Sequence, residues 1–470
     1  MRSSENSEPP SPNDRIGVVI LAAGQGTRMR SDLPKLLHPV AGLPLVRQAV
    51  LSTRVLSPVA TVVVVGHEAD RVAAAAGPDV ETALQVPQLG TAHALAQARA
   101  ALRSRVDIVV MMYGDSVLVG EDTFKRLVAG ATHHPLSFLS IELDDPAAYG
   151  RVVRDGSGAV CAIVERADAT AEEVAIREVY VGGMAFRADW MWDRLDGLPT
   201  HASGEQYITD LVRIAHQEGL TATAVPVANA DEFGGVNTQA ELAAANRVLW
   251  DRARARLMAA GVRMVDPSTV YIDTTVTVES NAVIEPNTHL RGATHVGNGS
   301  VIGPNSIITD TRIGRDCQVI ASVLESSEIG DRVTVGPFAH LRPGANVGDD
   351  VELGNYAEVK GSTLGARTKM HHFGYIGDAD VATDVNIGAG TITCNYDGEH
   401  KHRTVVGEGA FIGSDTMLIA PITIGERAYT GAGSVVTRDV APGTSVRGVP
   451  ARVAEPVRAE TAPAEGSDHG

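Results

Sequence analysis

Cysteine is scarce in this chain. Cys161, Cys317 and Cys394 stand far apart among 470 residues with no C-x-x-C pair, which excludes a disulfide framework and a cysteine-built zinc module. Aromatic residues make up 4%, so aliphatics and alanine supply the apolar interior. No apolar run is long enough to cross a bilayer, and the opening MRSSENSEPPSPNDR has no apolar signal core. A soluble cytoplasmic protein is therefore expected. Basic residues are outnumbered by acidic ones, 40 to 57, for a formal net charge of −17. That balance argues against a nucleic-acid surface and against an anionic membrane surface. Phosphorylated small molecules remain open, because they need only a local basic site.

What the chain does have is a beat. An aliphatic residue falls on every sixth position at Ile272, Val278, Ile284, Leu290, Val296, Ile302 and Ile308. The beat resumes at Val323, Ile329, Val335, Leu341, Val347, Leu353 and Val359, and again at Val406, Ile412, Leu418 and Ile424. A period of six fits neither an α-helix nor an ordinary strand. It fits a parallel β-helix whose flat sides each carry one inward aliphatic. The narrow interior of such a coil also accounts for the shortage of rings. The beat slips by one residue near Leu364–Lys369, and CNYDGEHKHRT (394–404) is too polar to fill a coil side. The second interruption reads as a loop on the binding face.

The first half has a different grammar. IGVVILAAG (16–24), ATVVVVG (60–66) and VDIVVMMYG (106–114) are apolar runs ending in glycine, the signature of buried parallel strands. Alanine-rich amphipathic stretches separate them, which gives an α/β domain. The length calls for two large domains. The expected division is a disordered tail (1–14), a Rossmann-like α/β domain (15–240), a linker helix (241–262), the hexad β-helix (263–453) and a second disordered tail (454–470).

LAAGQGTRMRSDLPK (21–35) directly follows the first strand. Gly24 and Gly26 let backbone N–H groups approach phosphate oxygens, and Arg28 and Lys35 add positive charge. The full string resembles the signature of sugar-1-phosphate nucleotidyltransferases. The resemblance implies that Leu21, Ala22, Ala23, Gly24, Arg28 and Lys35 bind the nucleotide. It assigns base and nucleoside reading to Gln85, Gly90 and Thr91 within QVPQLGTAHAL, and a strand-end role to Tyr113, Gly114 and Asp115 within YGDS. Gly150, Glu165, Tyr180 and Asn237 fall on its sugar side, and Asp115 with Asn237 would hold Mg2+. Four positions depart from the family's pattern: Gln25 for Lys, Val117 for Pro, Gln206 for Tyr, and Tyr180 for Asn. A phenol lacks the amide's paired donor and acceptor, so Tyr180 implies either altered sugar recognition or a weakened half.

Downstream, FAHLRPGANVG (338–348), YAEVKGS (356–362), MHHFGYIGDA (370–379) and VNIGAGTITCNYDGEHKHRT (385–404) concentrate cations, histidines and glycines in otherwise regular coils. Acyl transfer to an amine needs a base of near-neutral pKa, which His371 or His372 supplies. Glu358 is an expected orienting carboxylate, and backbone N–H groups of the turn 388–390 are an expected oxyanion site. From about residue 15 to 450 the chain resembles the bacterial bifunctional enzymes with glucosamine-1-phosphate N-acetyltransferase and N-acetylglucosamine-1-phosphate uridyltransferase activities. The resemblance implies His372 as general base and Arg342, Lys360, Tyr375 and Asn386 on the glucosamine phosphate. It places Ala389, Asn395, Tyr396, Lys401, Ser414, Ala432 and Arg447 on acetyl-CoA. It also implies a left-handed coil, UTP as second substrate, a homotrimer, and a product, UDP-N-acetylglucosamine, that feeds cell-envelope synthesis. Two rivals stay open: an acetyltransferase with a silent or altered nucleotidyltransferase half, and a non-catalytic trimeric scaffold.

Overall fold

The computed structural model describes residues 14–227 and 229–454. The two expected tails, apart from their innermost residue, lie outside the described residues. The chain divides into two units, Met1–Leu249 and Trp250–Gly470.

The first unit is built on a mixed sheet. Its strands are β1 (Ile16–Ala22), β2 (Ala60–Val65), β3 (Glu81–Leu84), β4 (Ile108–Tyr113), β5 (Leu136–Glu142), β6 (Arg151–Arg154), β7 (Val160–Val164), β8 (Glu178–Arg187) and β9 (Thr223–Pro226). Their order across the sheet is β9-β5-β8-β4-β1-β2-β3, with the β6–β7 hairpin joined to β8. β1 pairs in parallel with both β2 and β4, whereas β8 runs antiparallel to β4 and β5. β1, β2 and β4 are almost wholly buried, which is why they read as continuous apolar runs. The chain leaves β1 towards β2 on one side and reaches β4 on the other. That reversal opens a crevice beyond their C-terminal ends, the place where open α/β sheets bind ligands. The loop after β1 and the Tyr113–Asp115 turn both fall there.

A helix, Gln239–Ala259, runs across the expected linker. A reciprocal cap starts it: Glu241 N–H donates to Thr238 Oγ1, and the Glu241 carboxylate accepts from the N–H groups of Thr238 and Asn237. In the second unit its Ala253 and Leu257 join Val262 and Met264 at the start of the hydrophobic core.

The second unit is a three-sided parallel β-helix. Among the described residues its faces hold 12, 10 and 9 strands of two to four residues, and successive coils stack by parallel pairing up to the last strand. One inward column runs Ile272, Leu290, Ile308, Leu324, Leu341, Val359 and Ile376. Each such burial stabilises by roughly 1.5–3 kcal/mol. The column corrects the sequence reading at one point: Leu324 points inward, while Val323 lies outward between Ile307 and His340. The coil side from Leu324 to Ile329 is five residues long, so counting six back from Ile329 lands one residue away, on Val323. Other short sides occur from Ile308 to Ile313 and from Val359 to Leu364, the slip visible in the sequence. Small hydroxyl residues sit buried at the corners and satisfy themselves on coil carbonyls, as Thr294 Oγ1 does on Arg291 O at 2.6 Å and Ser322 Oγ on Ile320 O at 2.7 Å. At the far end Ser445–Gly448 is covered by the antiparallel Ala451–Ala454, which closes the exposed strand edge.

Candidate functional site

In the first unit the predicted residues line two adjoining cavities. One is walled by Leu21, Ala22, Ala23, Gly24, Lys35, Gln85, Gly90, Thr91, Tyr113, Gly114 and Asp115. The other holds Arg28, Gly150, Glu165, Tyr180 and Asn237, and it shares Lys35, Tyr113 and Asp115 with the first. The two loop glycines have different reasons to be there. A Cβ on Gly24 would meet nothing within 4 Å, so its backbone is open to a ligand. Gly26 is left-handed (φ 68°), and a Cβ there would fall 2.3 Å from that of Lys35, so it lets the loop close over the lysine. Gln85 is buried at the cavity wall, with Nε2 on Gly90 O at 3.0 Å.

Lys35 Nζ bonds Asp115 Oδ2, and it bonds Asn237 Oδ1 at 2.6 Å; Arg28 Nη2 reaches the same amide oxygen at 2.8 Å. The spacing of these residues does not foretell that the expected phosphate cations sit on the expected metal ligands. The pair of oxygens, one carboxylate and one amide, is a hard-donor set that fits magnesium.

Tyr180 is 6% exposed. Its ring belongs to the core and meets Phe138 edge-on at 6.3 Å, while a cavity of about 510 Å³ stays open beside it. The phenol therefore does not fill this cavity. Its hydroxyl is buried beside that of Tyr113, and burial drives its pKa upward. Glu165 is largely buried, which raises its carboxyl pKa, and a Thr209 hydroxyl at 3.1 Å partly offsets the rise. Two of the other departures turn away from the crevice. Val117 is core, and Gln206 Nε2 bonds Leu198 O at 3.3 Å.

In the second unit His372, Asn386, Ala389, Ser414 and Ala432 line one groove with His371, Phe411 and Tyr429. Arg342, Lys360, Tyr375, Asn395, Tyr396, Lys401 and Arg447 are not among its lining residues. Lys360 pairs with Asp378 at 3.3 Å, and Asn395 Nδ2 bonds both Asp378 and the Tyr375 hydroxyl. Lys401 stands beside Lys360, and the neighbouring ammonium lowers its pKa. Tyr396 and Lys401 bridge across the polar loop, making it a small hairpin. Arg447 packs over Gly431, next to Ala432.

Two expectations are corrected. Glu358 does not orient a histidine: the register sets it opposite Tyr375, where it binds Arg342 at 3.0 Å. The histidine–carboxylate pair that forms is His371 with Glu352, at 2.7 Å. The ring of His372 has no hydrogen bond or ion pair among the described residues; its neighbour is the His371 ring at 6.5 Å. In the glycine turn, the Gly388 and Gly390 N–H groups donate to Ile412 O and Phe373 O. Only the Ala389 N–H is left without a backbone partner among the described residues.

Sequence reasoning missed several residues that the fold brings in. Gln88 clamps Ala23 O at 2.6 Å, and Tyr149 and Glu241 line the second cavity. Glu241 was legible as the end of a T-x-x-E cap signal, which also pins Asn237. Cys161 approaches Asp155 and His216, their ligand atoms lying within 4.8 Å of one another, a meeting across a hairpin and a helix that spacing hides.

Comparison with known proteins now adds to this geometry. Residues 18–182 match the model of the MobA-like NTP transferase domain. Residues 275–310, 326–361 and 403–438 match the bacterial transferase hexapeptide (six repeats), in keeping with a left-handed coil. The chain is 42% identical over 441 residues to the bifunctional protein GlmU of Pelobacter propionicus, covering 92% of this chain and 95% of that one. The chain belongs to the bifunctional GlmU family. GlmU proteins of Streptomyces avermitilis and Ruegeria sp. are each 43% identical to it, over 91% of this chain and 90% and 92% of theirs. As a GlmU family member it is a bifunctional enzyme, an acetyltransferase and a uridyltransferase of UDP-N-acetylglucosamine synthesis. Among the described residues no helix is long and apolar enough to cross a membrane.

Proposed function

We propose that the second unit acetylates glucosamine-1-phosphate from acetyl-CoA, and that the first joins the product to UMP from UTP with release of pyrophosphate. The observation that carries this reading is convergence: residues scattered from 21 to 237 line one pair of joined cavities, and five of the acetyl-transfer residues line one groove.

In the first unit, the open backbone at Gly24 and the cations Arg28 and Lys35 receive the triphosphate, while Gln85, Gly90 and Thr91 hold the base and nucleoside. The sugar phosphate enters beside Gly150, Glu165 and Tyr180. Its phosphate oxygen attacks the α-phosphorus, and pyrophosphate departs on the opposite side. Asp115 and Asn237 would hold Mg2+, which when bound neutralises charge on the α-phosphate.

In the second unit, the substrate amine attacks the thioester carbonyl, His372 takes the amine's proton, and the Ala389 N–H faces the developing oxyanion. The intermediate collapses with loss of the CoA thiolate. Ser414 and Ala432 line the path of the thioester. Arg342, Lys360, Tyr375 and Asn386 hold the sugar phosphate, and Asn395, Tyr396, Lys401 and Arg447 hold CoA. The division of this set between the groove and a separate cationic cluster supports a homotrimer in which neighbouring copies complete each other's sites. The setting is cytoplasmic.

The test uses the two activities as controls for each other. Asp115→Ala abolishes pyrophosphate release from UTP plus N-acetylglucosamine-1-phosphate and spares CoA release. His372→Ala lowers CoA release by about 10²–10⁴-fold and spares pyrophosphate release. Loss of both activities in either variant, or of neither, contradicts the assignment.

A further inference from the structure

The mouth of the crevice holds an unusual arrangement of like and unlike charge. Lys35 Nζ is bonded at once to Asp115 Oδ2 and Asn237 Oδ1. The side chains of Lys35 and Asp115 are each only 13% exposed. Neither oxygen is free to turn away. Asn237 Nδ2 donates to Gly235 O at 2.9 Å, which aims Oδ1 inward, and its N–H is fixed on Glu241 at 2.7 Å. The Asp115 carboxylate lies flat against Gly235, where a Cβ would come within 2.9–3.0 Å of it. Two hard oxygens are thus aimed at one point that the Lys35 ammonium bridges, while the Arg28 guanidinium meets only the amide oxygen, at 2.8 Å.

An ammonium and a divalent ion cannot share the same two oxygens at contact distance, because their charges repel strongly in a site this shielded from water. Lys35 also lies on the wall common to both cavities. A flexible four-carbon stem lets its ammonium exchange a carboxylate for a phosphate without moving the backbone.

We propose that Lys35 is an internal counter-ion that holds the cation position of the free protein, and that a divalent ion is admitted only when a nucleotide phosphate draws the ammonium away from Asp115 and Asn237. The inference rests on the reading of Asp115 and Asn237 as the cation-holding pair. It makes Lys35 a positioning residue with two bonding states. It also makes metal and nucleotide bind with positive coupling, each raising the other's affinity by the same factor. The ammonium prevents a site rich in fixed oxygens from capturing a metal ion before its substrate arrives.

The test is a titration of Mn2+ into nucleotide-free protein, followed by loss of the free-ion electron paramagnetic resonance signal. Wild type is compared with Lys35→Gln, Lys35→Ala, Asp115→Ala and the double variant Lys35→Gln/Asp115→Ala. Removing the ammonium is expected to tighten Mn2+ binding by about tenfold or more, a difference of about 1.4 kcal/mol, and the double variant is expected to lose that gain. UDP-N-acetylglucosamine should raise Mn2+ affinity in wild type and have a much smaller effect in Lys35→Gln. If both Lys35 variants bind Mn2+ no more tightly than wild type while Asp115→Ala weakens it, the counter-ion role is overturned and the metal pair stands. If the tightening survives Asp115→Ala, the ion binds elsewhere, and both the metal pair and the counter-ion role fall.

Discussion

Replacing Gly90 by alanine should disable one half of this enzyme and leave the other running. Gly90 has φ 99° and ψ −177°, a region essentially closed to residues with a side chain, where a non-glycine costs about 1–3 kcal/mol. An added Cβ would also lie 2.5 Å from Gln206 O and 2.7 Å from Gln206 N, both backbone atoms. Something must move, and the segment around Gln206 is what can. Its displacement breaks Gln206 N–H to Leu89 O at 2.8 Å and Ala92 N–H to Gln206 O at 3.0 Å, at about 1 kcal/mol each. The total is about 3–5 kcal/mol in the first unit. The strain does not stay in the loop. Gln85 Nε2 bonds Gly90 O, and Ile208 N bonds Thr91 Oγ1 at 3.0 Å, so the residues proposed to receive the base shift with it. If about 2 kcal/mol of the strain reaches the reacting geometry, kcat/KM for UTP falls about 30-fold. The assay is pyrophosphate release against UTP concentration, with CoA release as the internal standard and thermal denaturation as the check on folding. An unchanged melting transition with kcat/KM for UTP within about threefold of wild type would refute the reasoning.

Two further outcomes follow from burial. Leu324→Ala should destabilise the β-helix by about 2–5 kcal/mol, and Val323→Ala by less than about 1 kcal/mol. Denaturant midpoints distinguish them, and the reverse ranking would restore the strict six-residue beat. Glu165 has its carboxyl pKa raised by burial, so native and unfolded states are both protonated below about pH 4. As pH rises through the raised native value, a buried carboxyl must ionise and stability is lost. Glu165→Gln removes that loss, so its melting temperature should gain on wild type as pH rises above about 4. A difference independent of pH would show that Glu165 is not the group responsible.

The sequence displays the β-helix openly because a coil side is local: one inward aliphatic and one tight corner recur without help from distant residues. Its error at Val323 has the same origin. Val323 and Leu324 are adjacent aliphatics, and only the stacking of Ile308 beneath one of them decides which turns inward. The crevice residues were legible because they lie in contiguous strings at strand ends. Their pairing was not. Whether Glu358 meets a histidine or Arg342 depends on which face of the coil each occupies, and a repeat period does not label faces. The Lys35–Asp115 contact joins residues 80 positions apart through a sheet order that no local pattern encodes. Tyr180 looked like an obstruction on chemical grounds, yet the β8 backbone carries its ring into the core beside Phe138.

The stacking of the coils also acts as a ruler. Arg342, Lys360 and Gly377 with its neighbour Asp378 sit on successive rungs of one face, and adjacent rungs are about 4.8 Å apart. Distances within the cationic cluster are therefore available only in whole rungs along the coil axis. Sides of five and six residues both close, so the loss of a single residue at a corner leaves the graduation intact. The excursion from Asn395 to Arg403 leaves and rejoins the stack, with Cys394 paired to Ile419 and Thr404 to Ala379. Removing one entire coil would preserve every local turn and still shorten the ruler by one mark, bringing groups on either side of the deletion about 4.8 Å closer together.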